Sequence, residues 1–182
     1  MKQIWQNYKL EAIKTMQALS KEEMFNYASL KLISEIGEVV GELTKQKYHP
    51  TLTNELKVQN ELGDVMFYLN LLDIVFDNPL QATYYETQGA EVKNSNNVIT
   101  LLLWSIDSAC GFIHGNLDNR DMQVQKLHCI FEMVLDIIDK LDFKLEEILS
   151  LNIAKIRKRH GETYNGKNFY CEENIMKKVQ EM

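Results

Sequence analysis

ISEIGEVVGELTKQKYH (Ile33–His49), followed by NELGDVMFYLNLL (Asn60–Leu72), decides the reading of this chain. The two stretches carry the acidic pairs Glu35-x-x-Glu38 and Glu61-x-x-Asp64 inside apolar sequence of helical period. A spacing of three places both carboxylates of a pair on one helical face. Two such helices packed together bring four carboxylates to one place, where they repel one another. A hard, oxygen-seeking cation such as Mg²⁺, or Mn²⁺ as an alternative, removes that repulsion. A cation with free coordination positions in turn attracts phosphate. A lone E-x-x-E is usually a solvated helix face, and it is the repetition on consecutive helices that points to a metal.

The neighbouring residues support this reading. Gly37, Gly41 and Gly63 lie inside the expected helices, where each should cost roughly 1 kcal/mol relative to Ala. At roughly 100° per residue, Glu35, Glu38 and Glu42 share one side, next to the apolar stripe of Leu32, Ile36, Val39, Val40 and Leu43. The acids therefore flank the expected seam, whereas a purely solvated face would more usually stand opposite it. Glu42 is either a fifth ligand or, by the simpler reading, solvent-facing.

Helical signals extend outward from this pair. Helices are expected over Lys2–Leu19, from the capping-box pattern Ser20-x-x-Glu23 to about Lys47, and from near Thr53 towards Phe76. His49-Pro50 and Asp77-Asn-Pro79 break the pattern. Two more helices are expected over Val98–Ile113 and from an Asp121 cap to about Leu141. A sixth is expected from an Asp142 cap, with Glu146 and Glu147 near its positive end, to a stop at Gly161. Residues 81–97 are polar and ambiguous, and no segment alternates with period two, so no sheet is expected. The fold class is all-α, a bundle of about six helices.

With 182 residues, 45 % of them apolar, the chain can build one domain with a real core. The expected domain spans 1–165, followed by a polar tail over 166–182. A formal net charge of −6 argues against binding a nucleic-acid polymer. The three cysteines, Cys110, Cys129 and Cys171, match no zinc spacing and suit a reducing cytoplasm. No apolar run approaches the ~20 residues needed to span a bilayer, and the N-terminus lacks a signal-peptide pattern. No E-x-x-H occurs among the residues, against a di-iron bundle. Gly-rich phosphate loops are missing too.

A basic cluster complements the acids. In NIAKIRKRHG (Asn152–Gly161), Lys155 and Arg159 stand one turn apart, with Asn152 on the same face. Such a ridge can hold phosphate oxygens, Arg as a fork and Lys as a point charge. Compensation of the helix dipole accounts equally for cations at a C-terminus. Lys57, one turn before Glu61, either reaches the same phosphates or forms an i,i+4 ion pair. Trp5 and Tyr8 are expected in the core rather than stacked on a base.

Together these residues resemble the MazG-like nucleoside triphosphate pyrophosphohydrolases, in the all-α superfamily that includes dimeric dUTPases. The family's E-x-x-E and E-x-x-D map onto Glu35, Glu38, Glu61 and Asp64. SLKLISEIGEVVGEL and ELGDVMFYLNLL are similar to its central helices, and Tyr8, Ala12 and Thr15 to its first helix. FKLEEILSLNIAKIRKRHG resembles its closing helix, with Asn152, Lys155 and Arg159 at phosphate-contacting positions. The resemblance implies Mg²⁺-dependent hydrolysis of (deoxy)nucleoside triphosphates to monophosphate and pyrophosphate. It also implies four carboxylate ligands, with Glu38 or Glu35 handling the water, and a homodimer or homotetramer in the cytoplasm. The alternative is a non-catalytic helical module that binds nucleotides or a partner.

Residues 77–142 depart from the family pattern as an insertion. Its apolar residues include Val98, Leu101, Leu102, Trp104, Ile106, Ile130, Phe131, Val134, Leu135, Ile137 and Ile138. LWSIDSACGF (Leu103–Phe112) weakly echoes LISEIGEVVGE (Leu32–Glu42). A degenerate half-repeat would pack on the acid-bearing helices as an internal partner. A chance echo would leave a hairpin outside an oligomer's core.

Overall fold

The computed structural model describes residues 2–14, 19–77, 80, 97–113 and 119–160. Among them are six α-helices and no strand: α1 (Lys2–Ile13), α2 (Lys21–Tyr48), α3 (Glu55–Val75), α4 (Val98–Ile113), α5 (Arg120–Lys140) and α6 (Leu145–His160). The all-α expectation holds. The expected tail, Thr15, Cys171, His114 and the polar stretch 81–96 lie outside the described residues.

Helix starts follow from side chains that satisfy free backbone N–H groups. Ser20 Oγ accepts the Glu23 N–H at 3.2 Å, and the Glu23 carboxylate accepts the Ser20 N–H at 2.8 Å, which completes the capping box of α2. Asn54 caps α3 by accepting the Lys57 N–H at 3.0 Å. Helix α2 ends at Tyr48, and Pro50 opens a single 3₁₀ turn, Pro50–Leu52.

Three boundaries differ from expectation. Helix α1 ends at Ile13, so Leu19 stands outside it, just before the Ser20 cap. Asn119, not Asp121, occupies the N-cap of α5, and Asp121 lies in the first turn, where its charge still favours the dipole. Asp142 does not cap α6. It terminates α5 in the left-handed region, at φ 57°. The Asp142 N–H donates to the Asp139 carbonyl and the Phe143 N–H to the Ile138 carbonyl, both at 3.0 Å. That is a Schellman ending, with Asp at the position glycine usually takes.

Every helix contributes to one core. Leu32, Ile36 and Val39 of α2 and Leu62, Val65, Met66 and Leu69 of α3 form its seam. The hairpin α4–α5 packs on this pair, α4 against α2 and α5 against α3. Phe112 meets Phe25 edge-on at 6.2 Å and stacks near Phe76 at 6.4 Å, while Phe131 tilts against Trp5 at 5.2 Å. The α4–α5 hairpin therefore lies on the acid-bearing pair rather than apart from it. Ile99, Leu103, Trp104 and Met122 of the hairpin are exposed.

Helix α1 is pinned to α3 by a buried ion pair between Lys9 and Asp73. Asp73 Oδ1 also accepts the Leu80 N–H at 2.8 Å. Removing one partner leaves the other charge buried and uncompensated. Asp73→Ala and Lys9→Met should each lower unfolding free energy by ~3–5 kcal/mol. The Lys9→Met/Asp73→Leu pair should cost less than the sum of the singles. Urea titrations of the four proteins check this, and additive losses would contradict it.

Candidate metal centre

Helices α2 and α3 bring Glu35, Glu38 and Glu61 together. One carboxylate oxygen from each lies within 4.8 Å of the others. Oxygens on opposite sides of an octahedral Mg²⁺ ion stand about 4.2 Å apart, so an all-oxygen donor set of this span suits a hard divalent cation. The three differ in setting. Glu35 is buried at 5 % exposure, Glu61 is half-buried and Glu38 is exposed. The cluster thus has one anchored edge and one open to solvent.

Asp64 is not within that group of three. Its Oδ1 accepts from Asn152 Nδ2 at 2.8 Å, and its Oδ2 pairs with Lys155 Nζ. Asn152 is wholly buried, and its Oδ1 accepts from the Tyr8 hydroxyl at 2.8 Å. The three helices α1, α3 and α6 meet at this amide. Gly63 makes the meeting possible, because a Cβ there would stand 2.9 Å from Asn152 Cβ. The cost of that interior glycine is offset by the approach of α6 to α3.

The electrostatics follow the geometry. Burial pushes Glu61 above the usual carboxylate range; Lys155 opposes the shift, and Asp64, Glu38 and Glu35 add to it. Burial, then the Asp64 charge, raises the Tyr8 phenol well above its ordinary value, so it remains a donor. Because folding raises the Glu61 pKa, its stabilising contribution is full below the unfolded value, 4.5, and is lost as pH rises through the folded value. Glu61→Gln should therefore flatten the fall in stability of metal-free protein above that range and stabilise it at neutral pH. Melting temperatures in chelator across pH 4 to 8 (roughly the window in which carboxylates and their shifted forms titrate) check this. A steeper fall in the variant would contradict it.

The other sequence-predicted residues divide. Lys155 is beside the acids, and Arg159 is exposed one turn further along α6. Lys57 does not form the i,i+4 pair with Glu61: its Nζ donates to the Leu52 carbonyl at 2.7 Å. Glu42 is neither solvent-facing nor in the cluster. It is buried, at 9 % exposure, and accepts the Thr53 hydroxyl at 2.6 Å, tying α2 to the start of α3. Arg157 pairs instead with Glu11 of α1.

Three residues beside the site were not singled out from the sequence. Lys31 donates to Glu35 at 2.9 Å and sits over the Tyr68 ring, 5.7 Å from its centroid. Tyr27 and Tyr68 meet edge-on at 5.7 Å, their hydroxyls 3.4 Å apart. Their signal was positional: Lys31 is one turn before Glu35, and Tyr68 one turn after Asp64.

Comparison of the chain with protein-family models, with curated proteins and with solved structures finds no match. Among the described residues no helix is long and apolar enough to cross a membrane.

Proposed function

We propose that the chain is a divalent-metal-dependent nucleoside triphosphate pyrophosphohydrolase of the MazG-like kind, releasing monophosphate and pyrophosphate. The observation that carries this reading is the convergence of Glu35, Glu38 and Glu61 from two helices, with Asp64 and Lys155 beside them. A dipole-compensating lysine would need no carboxylate from another helix, whereas Lys155 reaches across to Asp64.

Glu35 and Glu61 would hold the inner side of the metal position, and Asp64 would join the cluster as its fourth carboxylate. Mg²⁺ bound there supplies charge neutralisation for the triphosphate and a water of lowered pKa. Glu38, the most open of the three, would orient or deprotonate the attacking water. Lys155 exchanges Asp64 for a phosphate oxygen, and with Arg159 it offsets charge developing on the leaving pyrophosphate. Asn152 holds Asp64 throughout.

The protein works in the cytoplasm as a homodimer or homotetramer on this reading. Incubation with Mg²⁺ and each common dNTP and NTP tests it, with pyrophosphate and nucleotide binding both measured. Pyrophosphate from at least one nucleotide is expected. Binding without pyrophosphate from any would instead assign a non-catalytic nucleotide-binding module.

A further inference from the structure

The Asn152 amide touches Asp64 from within the core, and its orientation depends on what lies behind it. A carboxylate can only accept, so the amide must present Nδ2 to Asp64. Its Oδ1 then faces inward and requires a buried donor. That donor is the Tyr8 hydroxyl, 2.8 Å away on α1 and 3 % exposed. From the other side Gly63 leaves room for Asn152 to sit flush against α3. Tyr8 thus closes a chain of two hydrogen bonds, Tyr8 to Asn152 to Asp64, across three helices.

We infer that Tyr8 is a positioning residue for the Asp64 carboxylate, acting through Asn152. The inference rests on the proposed reading of the site as a metal centre. Without the hydroxyl the amide oxygen is a buried acceptor left unmet, and only the bond to Asp64 still holds the side chain in place. A shift of the amide towards another donor for Oδ1 would draw Nδ2 off Asp64 and release the carboxylate from its place. Groups that orient a metal-binding side chain from behind typically change metal affinity by about 10–100-fold.

Full-length wild type and Tyr8→Phe are titrated with Mn²⁺, free ion being followed by its paramagnetic resonance signal. The titration is run with and without an α,β-imido nucleoside triphosphate, which cannot be cleaved. Melting temperatures are measured in chelator. The expected result is an Mn²⁺ Kd about tenfold weaker in Tyr8→Phe, and a half-activating Mg²⁺ concentration raised to match. kcat at saturating Mg²⁺ should change less. Gly63→Ala, which crowds Asn152 while leaving Tyr8 intact, should weaken Mn²⁺ binding as well and gives an independent arm if Tyr8→Phe does not fold. Lower melting temperature with unchanged Mn²⁺ affinity would make Tyr8 merely structural and overturn the inference. Wild type that binds no Mn²⁺ under either condition would overturn the metal-centre reading itself.

Discussion

Glu38→Gln should reduce pyrophosphate release to less than a tenth of wild type, a barrier increase of at least ~1.4 kcal/mol, while the protein remains folded. The side chain is exposed on α2, so its amide analogue disturbs no packing. Only the charge is removed, and that charge opposes Glu35 and Glu61 within the cluster. In chelator the variant should therefore melt at the same temperature as wild type or higher. Asp64→Asn should also lose turnover, but by a different balance, because it deprives Lys155 of its carboxylate partner as well. Steady-state rates of pyrophosphate release together with calorimetric melting decide the matter. A Glu38→Gln enzyme with more than a tenth of wild-type kcat would remove Glu38 from the chemistry.

Deleting Asn78 to Leu141 should leave no folded, soluble domain. The segment supplies Leu101, Leu102, Phe112, Leu127, Ile130 and Phe131 to the core, among others. Each buried side chain of this kind is worth ~1.5–3 kcal/mol, and a whole domain is stable by only ~5–15 kcal/mol. The deletion would uncover the faces of α2 and α3 on which α4 and α5 rest. Circular dichroism and gel filtration of the truncated chain give the answer. A soluble, active, truncated oligomer would mean that a second copy can replace the hairpin, and would refute its role as an obligatory internal partner.

Local features of the sequence translated well into structure. The Ser20-x-x-Glu23 pattern marks the start of α2 because both halves of the box are within three residues of each other. Val98–Ile113 is apolar enough, and bounded closely enough, to mark α4. The acid pairs announce themselves because three-residue spacing survives any packing arrangement. Asp142 was misleading for a physical reason: aspartate is favoured both at N-caps and, next to glycine and asparagine, in left-handed turns. Its role was decided by α5, which ended there, rather than by α6.

What could not be read locally was the support of the site. Tyr8, Asp64 and Asn152 are separated by 144 and 88 residues along their two hydrogen bonds. No periodicity reports such a meeting. Gly63 held the clue, since a glycine inside a helix implies that something approaches closely, but not what approaches. Glu42 shows the converse. Its helical phase grouped it with Glu35 and Glu38, yet Thr53, on the far side of a turn, claims it.

On the proposed reading, a nucleoside triphosphate is cleaved into monophosphate and pyrophosphate at the acid cluster of α2 and α3. Phosphorus NMR of a reaction with the nucleotide it turns over fastest, first in chelator and then after Mg²⁺ is added, tests it most directly. In chelator the triphosphate spectrum should stay static. Once Mg²⁺ is present, equal growth of monophosphate and pyrophosphate resonances should follow, and Glu38→Gln should show neither. Orthophosphate with diphosphate as the products, turnover unchanged by chelator, or no cleavage of any nucleotide would contradict it.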